Sequence, residues 1–113
     1  MNPSEQIAET LRSIRDEAVS LADRAPSPEQ RRESRARIDD LAHALEAVQP
    51  HLQPENRVWH QRLLSEIAVL KYLLGAQAGE AGGRRDRTAS DIQWAAGLVR
   101  DVSRLLLRLV SQR

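Results

Sequence analysis

Cysteine is absent from this chain, and that one absence removes disulfide frameworks, cysteine-based zinc sites and thiol catalysis together. Aromatic side chains are almost as scarce. Trp59, Tyr72 and Trp94 are the only ones, too few to build a platform on which successive nucleic-acid bases stack. Long apolar runs are missing too. Leu63 to Ala76 is broken by Glu66 and Lys71, and Ile92 to Val110 by Arg100, Asp101, Arg104 and Arg108, whereas a membrane-spanning helix needs about 20 mostly apolar residues. The opening MNPSEQIAET has neither the basic start nor the apolar stretch of a secretory signal, so a cytoplasmic location is expected. Strand signals are lacking as well: no alternating β-branched run, and no Asn-Gly or Asp-Gly turn between such runs.

What remains is helical periodicity. The 113 residues are of single-domain length, and a chain of this size buries roughly two-thirds of its unfolded surface without needing disulfides or metals. Asn2-Pro3-Ser4-Glu5 reads as a helix start, with a cap, a proline at the first position and a carboxylate placed for a capping box. Ile7, Leu11, Ile14, Ala18, Leu21 and Ala25 follow in alternating steps of four and three, the rhythm that keeps one seam on a partner. Ser27-Pro28-Glu29-Gln30 opens the second helix with a stronger capping box. Its stripe is Ile38, Leu41, Leu45, Val48 and, beyond the end, Leu52. Pro28 to Arg37 is almost wholly polar, so that end is expected to be solvated or to face something polar. A third helix carries His60, Leu63, Ile67, Leu70 and Leu74, and a fourth carries Ile92, Ala95, Val99, Val102, Leu106 and Leu109.

The expected architecture is therefore all-α: one domain, residues 1–113, folded as an antiparallel up-down-up-down four-helix bundle. The helices are placed at about 3–25, 28–49, 54–75 and 90–112, the last opening at Thr88-Ala89-Ser90-Asp91. A long glycine- and arginine-rich loop, about 76–89, joins the last two and exceeds the usual two to eight residues of such links.

Two features bear on function. The third and fourth helices have apolar arcs wider than one stripe, with Val58, Trp59, Leu64, Val69, Tyr72 and Leu73 on one and Trp94, Leu98, Leu105, Leu107 and Val110 on the other. Helices of a closed monomeric bundle should have comparable arcs, so this pair is expected to be the more deeply buried, by a second copy or by another protein. The alternative is that the two form the centre of a lopsided monomer. The residues expected at a protein interface are Trp59, Val69, Leu73, Trp94, Leu98 and Leu105.

The second feature is charge. Residues 1–56 hold seven Arg against eleven acids, −4; residues 57–113 hold nine Arg and one Lys against five acids, +5; the chain is +1. One reading packs an acidic half of the bundle against a basic half. The other is a basic surface for an anionic partner, with Arg84, Arg85 and Arg87 in the loop and Arg100, Arg104 and Arg108 along one face of the last helix. Like charges at four-residue spacing cost a few tenths of a kcal/mol per pair, roughly, unless something negative meets them. Arginine makes bidentate contacts to phosphate, so that surface would touch a nucleic-acid backbone without reading sequence.

Parts for catalysis are not assembled. Di-iron sites in bundles need repeated Glu-x-x-His motifs; here Asp40-x-x-His43 occurs once, with His43 expected outside, and His51 lies in a proline-flanked turn. His60 falls on the apolar seam and is expected near the bundle end, partly solvated and paired with a carboxylate or with the chain before it. Gly79-Glu80-Ala81-Gly82-Gly83 lacks the Lys-Ser/Thr of a phosphate-binding loop. The sequence thus predicts no enzyme, no metal and no cofactor. It predicts an interaction module working as a homo-oligomer or as a small subunit of a larger assembly, with a backbone-directed nucleic-acid-binding subunit as the alternative. No membrane partner and no small-molecule substrate is expected.

Overall fold

In a computed structural model of the protein, residues 2–75 and 85–111 are described, with only the backbone for 85–88. Four helices and no strand occur among these residues: α1 (Pro3–Asp23), α2 (Pro28–Ala47), α3 (Arg57–Gly75) and α4 (Arg85–Ser111). Each start follows from its cap. The Asn2 side chain accepts from the Glu5 backbone N–H at 2.9 Å. Ser27 and Gln30 close a reciprocal capping box, at 3.2 and 2.9 Å, which satisfies two donors that no helix turn can satisfy. α1 ends at Asp23, with Arg24 already extended, because Pro26 disfavours helix at the residue before it. Between α2 and α3 the prolines support two short 3₁₀ turns, Gln49–His51 and Pro54–Asn56, so α3 begins three residues later than its proline signal. α4 begins at Arg85 and carries Thr88 to Asp91 inside the helix, not at its cap. The expected loop, where it falls on residues 76–84, lies outside the described residues.

Consecutive helices run antiparallel. Glu17 meets Ser34 and Arg37, His60 meets Leu45 and Lys71 meets Asp39, and Gln93 reaches Ala22. Packing closes into a square: α1 on α2, α2 on α3, α3 on α4 and α4 back on α1. The rod measures 49 × 20 × 19 Å, two helix diameters in each cross direction. Its core is a column of Leu11, Ile14, Ile38, Leu45, Leu63, Ile67, Leu70, Ile92, Val99 and Leu106, all fully buried. α4 packs most extensively on α1, and small residues permit it, since Ala18, Ala95 and Ala96 are wholly enclosed.

Two expectations need correction. The buried stripe of α4 is Ile92, Ala95, Ala96, Val99, Ser103 and Leu106, while Val102 and Leu109 are only half-buried; close approach to α1 turns the helix so that Ala96 and Ser103 face inward with the expected Ala95. The Ser103 hydroxyl is satisfied by donating to the Arg100 carbonyl at 2.9 Å. Nor is the C-terminal pair buried more deeply within one chain. α3 buries a single five-residue seam, as narrow as that of α1, and its extra apolar width lies outside.

Candidate interaction faces

Helical geometry sorts the outer side chains, at 100° per residue. On α3, His60 and Lys71 mark the flank that meets α2. Trp59, Val69 and Leu73 lie on the other side of the seam, toward α4. On α4, Gln93 marks the flank that meets α1, and Trp94, Leu98 and Leu105 lie on the opposite flank, toward α3. The six residues expected at an interface therefore border one groove between α3 and α4. Trp94 is 65% exposed, Val69 44% and Trp59 37%. Leu73, Leu98 and Leu105 are half-buried, with Leu73 packed against the core. Tyr72, 77% exposed, and Val58 extend the apolar surface onto the back of α3. Their alternation with Arg62 and Ser65, at positions 58, 62, 65, 69 and 72, was the sequence signal for a second, outward seam.

Ion pairs tie the bundle seams. The Glu17 carboxylate on α1 accepts from Arg37 Nε at 2.7 Å and Nη2 at 3.2 Å, and from the Ser34 hydroxyl at 3.1 Å. This is the polar partner of the apolar-poor start of α2, and the Glu17 hydrogen bond holds the Arg37 pKa above its ordinary value. Farther along that face, Arg31 Nε is buried without a partner among the described residues. Across α2 and α3, Lys71 donates to Asp39, and this bond keeps the Asp39 carboxyl below its usual pKa. Among the described residues only the Asp39 pair joins the acidic and basic halves of the chain, and no ion pair crosses from α1 to α4. On α4, Arg100 pairs with its neighbour Asp101 at 2.9 Å, while Arg104 and Arg108 are exposed. Arg84 lies outside the described residues. Arg85 and Arg87 stand on the first turn of α4, not in a loop, and only their backbone is described.

His60 is fully buried, which corrects the partly solvated position expected for it. No carboxylate among the described residues meets it. Its Nε2–H donates to the Leu45 carbonyl at 2.7 Å, and Nδ1 has no partner among the described residues. His43 is exposed, its Nδ1 at 2.8 Å from the Asp39 carbonyl. No group of three or more His, Cys, Asp or Glu able to hold a metal occurs among the described residues, and no helix there is long and apolar enough to cross a membrane. A cleft of about 50 Å³ at one end of the rod is lined by Ile7, His51, Leu52, Leu109 and Val110 among others, well below the several hundred Å³ of typical ligand pockets.

Fold and surface together define an all-α four-helix bundle with an apolar groove on one side and arginines on another. Comparison with protein families, with curated proteins and with solved structures finds no match to this chain.

Proposed function

We infer that this protein is a non-enzymatic interaction module whose α3–α4 groove docks on another protein surface, a second copy of the chain or a subunit of a larger assembly. The observation that supports this reading is the exposure of Trp94, Val69 and Trp59 along the side of the rod that α3 and α4 share. A closed core already exists beneath them, so these side chains are not needed to fold the monomer. Large apolar groups spread along one outer face, with the Arg62–Glu66 pair at 2.8 Å set among them, resemble the hot-spot composition of interfaces, where tryptophan anchors are enriched.

The test is the mass in solution over a dilution series, for the wild type and for W94S/V69S. A species at twice 12.7 kDa or above that reverts to monomer in the variant supports the reading. A monomer at every concentration, with cross-linking in the native host identical for wild type and variant, overturns it.

A further inference from the structure

Among the described residues two seams carry cross-helix ion pairs, and both put acid against base: Glu17 against Arg37 between α1 and α2, and Asp39 against Lys71 between α2 and α3. The seam between α1 and α4 does the opposite. Gln93, which donates to the Ala22 carbonyl, fixes both flank and register there. Arg100 and Arg104 lie seven and eleven residues beyond Gln93, within about 20° of its direction, and Arg108 within about 60°. On α1, Arg15 lies seven residues before Ala22, on the same flank, with Arg12 beside it. Arg12 shares a groove with Val110 and Ser111, which places the two ends of the seam antiparallel. Arg15 and Arg100 thus stand at one level, and Arg12 stands near Arg104.

Five guanidinium groups therefore line one ridge, drawn from two helices. Arg15 and Arg100 are part-buried and each is paired only with the acid next to it in sequence, Asp16 and Asp101. Arg12, Arg104 and Arg108 make no ion pair among the described residues. Glu5 and Glu9 edge the foot of the ridge near Arg12, and among the described residues no carboxylate pairs across it. A base-against-base seam weakens the bundle unless an anion spans it. The four-residue spacing of Arg100, Arg104 and Arg108 advances about 6 Å per step, close to the step between successive phosphates on a nucleic-acid strand.

We propose that the α1–α4 ridge, Arg12 and Arg15 with Arg100, Arg104 and Arg108, binds the phosphate backbone of nucleic acid. It reads no bases, because no aromatic side chain lies on this side; Trp59, Tyr72 and Trp94 all belong to α3 or to the flank of α4 toward α3. The proposal is independent of the groove on the other side of α4.

The experiment is a fluorescence-anisotropy titration of single-stranded RNA and of duplex DNA, repeated over a salt series. If the three unpaired arginines each neutralise one phosphate, affinity for duplex falls with a log–log slope of about −2.7, roughly fortyfold for a fourfold rise in salt. R104Q/R108Q should bring that slope about 2 closer to zero, whereas R32Q/R57Q, removing equal charge from exposed positions elsewhere, should leave it nearly unchanged. Thermal unfolding of each variant shows that the fold is intact. No binding to either nucleic acid at low salt overturns the proposal, as does equal weakening by the two variant pairs, or polyglutamate that competes as well as nucleic acid.

Discussion

His60 on α3 closes the end of α2: its Nε2–H donates to the Leu45 carbonyl at 2.7 Å. Leu45 lies in the last turn of α2, where carbonyls run out of intrahelical partners, and that turn carries no basic residue of its own. The donor comes from the neighbouring helix instead. A carbonyl can only accept, so the tautomer is the one with hydrogen on Nε2.

His60→Ala should therefore cost about 2–4 kcal/mol, from the cavity left in the column and the carbonyl left unpaired. His60→Leu should cost less, because it fills the space and removes the unpaired Nδ1 while losing the same hydrogen bond. Urea unfolding of the two variants checks the order. Equal losses would show that the hydrogen bond, not the volume, dominates.

Glu17 is the hub of the α1–α2 seam. In Glu17→Ala the Ser34 hydroxyl, which is buried, loses its acceptor, and Arg37 loses its carboxylate and keeps only the Ser34 hydroxyl at 3.3 Å. The expected loss is about 1–3 kcal/mol. Breaking the pair within α3, on which no buried hydroxyl depends, with Arg62→Ala should cost under about 1 kcal/mol. Denaturant midpoints compared at fixed slope distinguish the two.

Asp39 makes stability depend on acid. Its folded pKa lies below the ordinary value, chiefly because Lys71 donates to it. Between the two values the unfolded chain holds more protons, so stability rises with pH there. The contribution is complete above the usual aspartate range, near pH 3.9, and is lost as pH falls through the depressed folded value. In Asp39→Asn the acid side of the stability curve should be flatter, as read by thermal unfolding from neutral to acid pH. An unchanged acid limb would show that the pair does not persist in solution.

Leu63 and Trp94 should behave as opposites. Leu63→Ala, in the enclosed column, should lose about 2–5 kcal/mol. Trp94→Ser should change monomer stability by no more than about 0.5 kcal/mol. A large loss at Trp94, measured where the protein is monomeric, would place that ring in the fold instead of on a surface.

The caps and the seams were legible because they are local. Asn2, Ser27 and the prolines act within one turn, and the spacing of Ile7, Leu11, Ile14, Ala18 and Leu21 needs only helix geometry to define a face. The start of α2 was legible only as a problem: a polar run that needed a polar neighbour, with nothing in the run to name Glu17. The site at His60 was harder. Its position on the seam could be read, but whether the end of the seam lay in water or under Leu45 depended on how far α2 reaches past α3.

The sequence by itself determined an all-α chain of four amphipathic helices, their order and their caps, because periodicity and capping are satisfied within each helix. Tertiary structure alone decided which flank of each helix meets which neighbour. That choice rests on how closely two surfaces can approach. Small enclosed residues, Ala18 on α1 and Ala96 on the α1 side of α4, let the two helices approach closely, turn Ser103 inward, and bring Arg12 and Arg15 alongside Arg100, Arg104 and Arg108, a grouping no single helix contains. The same packing also leaves Trp94, Val69 and Tyr72 outside, since a square of four helices is filled by one seam from each.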